Sequence, residues 1–82
     1  MIQSSEDFKR AVGKAIRDCR ESKDMSLADI SDLTRRSRGN LSELETKGVG
    51  LTIPALYEIC EALGVKPETI IKRAGKDERN NQ

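Results

Sequence analysis

The stretch Ser26–Lys47, SLADISDLTRRSRGNLSELETK, decides how the chain folds, because it holds two helix starts in close succession. Ser26 is followed three residues on by Asp29, so the hydroxyl and the carboxylate can reciprocally satisfy free amides at a helix start. Met25 before this cap and Ile30 after the first turn are placed to touch across it. Ile30 and Leu33 then give the helix one apolar side. A second start follows at Ser37, with Leu41 and Leu44 as the buried stripe of a helix over Ser37–Glu45. Only Thr34, Arg35 and Arg36 separate the two helices. Helix nucleation is costly, and roughly 12 residues are needed for an isolated helix, so both are predicted to lean on other helices.

Working outward, a helix is predicted from Ser4 or Ser5 to about Lys23. SSED at its start resembles a capping box, and Phe8, Ala11, Val12, Ala15, Ile16 and Cys19 recur with helical spacing along one face. After Lys47, the sequence GVGL reads as a loop. Thr52 caps a further helix with Pro54 in its first turn and Leu51 placed to pack on Leu56. Its buried face is Ala55, Leu56, Ile59, Cys60 and Leu63, and Gly64 ends it. Pro67 opens a last helix with Ile70, Ile71 and Ala74 apolar, closing at Gly75. The polar residues 76–82 are expected to form a disordered tail, leaving residues 1–75 as a single domain. Five helices on one core and no sheet is the expected architecture.

Composition sets limits on function. In 82 residues, 15 Lys and Arg face 14 Asp and Glu, a net charge of +1, so bulk charge does not argue for nucleic acid and the distribution must. Between Thr34 and Gly48 the positives Arg35, Arg36, Arg38 and Lys47 outnumber Glu43 and Glu45, a local charge of +2. No apolar run approaches the ~20 residues that span a bilayer, and no signal-peptide pattern opens the chain, so a soluble cytoplasmic protein without a membrane partner is expected. With no His and no C-x-x-C, a zinc site is not expected, and Cys19 and Cys60 read as reduced core residues. No nucleophile–base pairing, phosphate loop or metal set is visible. The expectation is therefore a protein that is not an enzyme, with no cofactor, metal or small-molecule ligand.

From Val12 to about Ile71 the chain resembles the Xre family, the lambda-repressor and Cro type of helix-turn-helix domain. The resemblance is carried by I-R-x-x-R-E-x-K-x-M-S at the end of helix 1, S-x-x-D-I-S-D-L at helix 2, N-L-S-E-L-E at helix 3 and L-x-x-I-C-E-A-L-G-V at helix 4. It implies an all-α, compact five-helix bundle that reads double-stranded DNA, commonly as a homodimer on a two-fold related operator, with helix 3 in the major groove. Base contacts are then expected from Arg38, Gly39, Asn40, Ser42 and Glu43. Arg suits guanine, Asn adenine and Glu cytosine, and Gly39 lets the helix approach closely. Phosphate contacts are expected from Arg17, Arg35, Arg36, Ser37, Lys47 and Thr52.

The resemblance also pairs Arg20 with Glu45 as a structural salt bridge. A dimer contact is expected at Ile70 and Ile71. The function implied is a small transcriptional repressor or autoregulator, with RNA polymerase as a further partner. The competing reading is a protein-interaction module of the same fold, such as an antitoxin or adaptor. Four positions depart from the family pattern: Leu27 where many relatives carry Gln, Arg35 and Arg36 in place of a Gly and an apolar residue in the turn, and Lys47 where a Gly is usual, with Gly48 one place later. The turn must therefore either put an Arg in the left-handed region or change shape.

Overall fold

The computed structural model describes residues 4–80, with side chains to residue 76. The described residues form five helices: α1 (Ser5–Ser22), α2 (Leu27–Thr34), α3 (Arg38–Lys47), α4 (Ile53–Leu63) and α5 (Pro67–Asn80). Four of the starts are capped by the residues that the sequence marks. Ser4, Ser26, Ser37 and Thr52 each accept a hydrogen bond from the amide three residues on, and at Ser26 the carboxylate of Asp29 completes the reciprocal pair.

One core joins all five helices. Ala15 and Ile16 of α1, Ile30 of α2, Leu41 and Leu44 of α3, Ile59 and Cys60 of α4, and Ile70 and Ala74 of α5 are almost wholly buried. Phe8, Met25, Leu51 and Val65 pack around them. Helix α1 is the spine, with α5 and α3 packed along it and α2 held mainly by α3 and α4. Cys19 and Cys60 are free thiols within this core. Burial, with smaller contributions from Cys19 and Glu68, pushes the Cys60 thiol up to about 11.

Three expectations are corrected. Leu33 is not part of the core stripe: it is 61% exposed, because α2 turns Ile30 inward, with Leu27 and Thr34 on either side of it half-buried. Residues at 27, 30 and 34 share a helical face that Leu33 does not. Helix α5 does not close at Gly75 but continues to Asn80, so the stretch read as a disordered tail is helical over residues 76–80. Gly75 does not enter the left-handed region that stops a helix, and Lys, Glu and Arg, good helix formers, follow it. Residues 81 and 82 of that expected tail lie outside the described residues. Finally, Ile70 is 1% exposed and completes the core together with Ala74 one turn on, so it is not free to contact a second chain. Its neighbour Ile71 is 39% exposed.

Candidate nucleic-acid interface

Helix α3 is held against the spine by contacts that leave little freedom in its aim. Gly13, in the middle of α1, lets the two helices approach until a Cβ at that position would collide with the Leu44 carbonyl oxygen and lie 3.0 Å from that of Glu45. At the other end of the contact, Gly48 caps α3 with φ 73°, and a Cβ there would come within 2.8 Å of the Lys9 backbone. Any residue but glycine is disfavoured at Gly48 twice over, by conformation and by space. The relocated glycine is thus accommodated: α3 continues through Lys47, and Gly48 takes the left-handed cap.

Arg20 and Glu45 form the expected brace. Arg20 Nε donates to Glu45 Oε2 at 2.8 Å and Nη2 to Glu45 Oε1 at 3.1 Å, the two-pronged geometry that suits guanidinium and carboxylate. Nη1 donates to the Met25 carbonyl oxygen at 2.8 Å, so a single side chain ties together the end of α1, the α1–α2 turn and α3. The bond to Glu45 raises the Arg20 guanidinium further above its ordinary value, against the opposing effect of burial. With all three nitrogens engaged, Arg20 serves the fold.

The turn between α2 and α3 adopts the first of the two alternatives open to it. Arg35 takes the left-handed conformation, φ 64° and ψ 16°, a cost of about 1–2 kcal/mol for a residue with a side chain. Side-chain hydrogen bonds hold the turn in that shape. Thr34 Oγ1 donates to the Ile30 carbonyl at 2.7 Å and accepts from the Arg36 amide at 3.3 Å, while Ser31 Oγ donates to the Arg36 carbonyl at 2.6 Å. The Arg36 guanidinium lies 3.2 Å from Glu58 on α4. Nε and Nη2 of Arg36 face Glu58, which leaves Nη1 as its donor for a phosphate.

On α3, Arg38, Gly39, Glu43 and Thr46 are exposed and Ser42 is half-buried, opposite the core positions Leu41, Leu44 and Glu45. Four of the five expected reading positions thus lie on the outward side. Thr46, not singled out in the sequence, shares that side one turn past Ser42, whose carbonyl accepts its hydroxyl proton at 2.8 Å. Asn40 is different: it is half-buried, and its Oδ1 is fully buried without a hydrogen-bond partner among the described residues.

Of the expected phosphate contacts, Arg35 and Lys47 are exposed and make no ion pair with the described residues. The Ser37 hydroxyl is occupied as the α3 cap, and that of Thr52 as the α4 cap. Pro54 carries no N–H and the Ala55 amide is taken by Thr52, which leaves the amides of Thr52 and Ile53 open at the start of α4. Arg17 lies apart from the turn, 3.3 Å from Glu21 on α1, beside the groove that α1 forms with the end of α3 at Thr46.

Two short capped helices joined by a hydrogen-bonded turn, the second presenting its outer side to solvent, define a helix-turn-helix unit. The chain belongs to the Cro/C1-type helix-turn-helix DNA-binding domain family, whose pattern it matches over residues 15–75. Its fold is similar to two crystal structures of the clp gene regulator ClgR from Corynebacterium glutamicum. One has 30% identity and a TM-score of 0.82, covering 85% of this chain and 91% of that one. The other has 28% identity and a TM-score of 0.86, covering 90% and 79%. No curated protein matches the sequence. Among the described residues, no helix is long and apolar enough to cross a membrane.

Proposed function

We propose that this protein is a transcription regulator that binds a two-fold related DNA operator as a homodimer, with α3 in the major groove. The observation that carries the reading is the division of α3. Leu41, Leu44 and the Arg20–Glu45 brace fix the helix from behind, while Arg38, Gly39, Ser42 and Glu43 face outward from its first two turns. A rigidly aimed helix with donors and an acceptor on its open side is what base-edge recognition requires. Arg35, Lys47 and the open amides of Thr52 and Ile53 flank it at both ends as phosphate contacts. The similarity to the clp gene regulator supports a role at a promoter, where occupancy of DNA or a touch on RNA polymerase is the output.

A second copy is needed because one helix in one groove seldom gives a sufficient specificity ratio. Ile71 is the proposed dimer contact, at the edge of an apolar groove of about 340 Å³ that Phe8, Leu51 and Ile53 also line. The DNA-binding domain in this reading extends through α5 to Asn80, and its place of action is the cytoplasm. Affinity for a duplex taken from the protein's own upstream region should fall steeply with salt, with a logarithmic slope of about 0.9 per phosphate neutralised. Fluorescence anisotropy from low to physiological salt measures that slope, and a salt-independent complex would overturn the assignment.

A further inference from the structure

We infer that Asn40 is a positioning residue, which sets the α3–α4 loop against the reading helix, and that it does not read a base. The inference rests on α3 being the groove helix. An asparagine that recognises adenine must present both halves of its amide, Oδ1 accepting from N6 and Nδ2 donating to N7. In this fold Oδ1 is turned inward and fully buried. Nδ2 lies 3.3 Å from the point that a Cβ on Gly50 would occupy, so the amide is packed tightly onto the loop at that glycine.

Gly50 is in the left-handed region at φ 80°, as is Gly48 at φ 73°, and the Leu51 amide donates back to the Gly48 carbonyl at 3.3 Å. The loop is therefore a compact turn whose underside meets Asn40 and whose next residue is Thr52, where the open amides of α4 begin. Moving the Asn40 amide outward toward a base would leave space beneath Gly50 and release the loop that presents those amides. A buried acceptor without a partner is rare and calls for a reason. Here the reason is shape, because the amide fills the space between α3 and the loop. The side chains left to read bases are Arg38, Ser42 and Glu43, with Thr46 on the same side.

Leucine has nearly the shape of asparagine and no hydrogen-bonding group, so Asn40→Leu separates packing from reading. Wild type, Asn40→Ala and Asn40→Leu are each used to select duplexes from a random pool, and the binding of the wild-type sequence is then measured against salt. A positioning role predicts the same selected sequence for all three proteins. Asn40→Ala binds it about ten- to a hundredfold more weakly, the worth of one hydrogen bond to a charged group, with the salt slope unchanged because a backbone amide carries no charge and neutralises no phosphate. Asn40→Leu keeps both affinity and slope near wild type. Loss of preference at a single base pair in both variants would overturn the inference and make Asn40 a reader. Unchanged affinity in Asn40→Ala would also overturn it. A wild-type pool with no enriched sequence would remove the underlying reading of α3, and is seen before any variant is compared.

Discussion

Arg20→Ala tests how the reading helix is held. The pair is well shielded, with the side chains of Arg20 and Glu45 only 11% and 6% exposed. Truncating the arginine leaves the Glu45 carboxylate buried without its partner and deprives the Met25 carbonyl of its donor. Breaking such a pair from one side costs about 3–5 kcal/mol. A domain of this size has roughly 4–12 kcal/mol of total stability, so the loss is a large share of it. With about 6 °C of Tm per kcal/mol for a chain of this length, the melting midpoint should fall by about 20–30 °C. Circular dichroism on heating and urea titration at pH 7 provide independent readings.

The double variant Arg20→Ala, Glu45→Ala should be more stable than Arg20→Ala alone, because removing the stranded charge removes most of the penalty. A midpoint within about 3 °C of wild type for Arg20→Ala, a change of only ~0.5 kcal/mol, would refute the reasoning. If DNA binding were lost at the same time, Arg20 would become a DNA contact in place of a brace.

Gly39→Ala should stabilise the fold by up to about 1 kcal/mol and yet weaken DNA binding. A Cβ there meets nothing within 4 Å inside the protein, so only an approaching groove gives the glycine a purpose, and melting together with anisotropy separates the two effects. Gly13→Ala should lower both stability and binding, since its methyl would press α3 away from α1 at the Leu44 carbonyl; a melt indistinguishable from wild type would mean that the helices are not in contact there. Cys60 supplies a pH dependence. Below the thiol's ordinary value of 9.0 the folded and unfolded chains both hold the proton and the group adds no slope. Between 9.0 and about 11 the unfolded chain releases a proton that the folded chain keeps, so stability falls as pH rises through that window. Urea midpoints at pH 8 and pH 10.5 should show the fall in wild type and a smaller one in Cys60→Ala.

The helix starts were the most legible part of the fold, because capping is local chemistry. A serine or threonine oxygen three residues from a free amide is visible in the sequence, and Ser4, Ser26, Ser37 and Thr52 all act that way. The errors arose where a local pattern admits two solutions. Helix α2 has eight residues, too few for periodicity to choose between a face with Leu33 and one with Leu27 and Thr34; packing on α4 chose the second. Ile70 and Ile71 are a hundred degrees apart on α5 and both lie at helical spacing from Ala74, so spacing does not choose between them; packing buried Ile70 and left Ile71 39% exposed.

Gly75 looked like a stop, but a glycine ends a helix through its conformation, which composition does not report. Gly13 is not singled out in the sequence, although a lone glycine inside a strongly periodic helix can mark a packing contact; its partner helix follows only from the fold. Within the candidate interface, the outward side of α3 followed from its inward side. The inward turn of Asn40 did not, because it depends on Gly50, ten residues away in sequence and adjacent only after folding.

Groove reading by α3 is tested most directly by selecting duplexes from a random pool with the wild-type protein and with Arg38→Ala. Groove reading predicts an enriched sequence with two related half-sites about one DNA turn apart, and loss of preference for a single guanine in each half-site when Arg38 is truncated, worth about 1–3 kcal/mol. Enrichment of no sequence by the wild type, or a preference that Arg38→Ala leaves intact at every position, would contradict it.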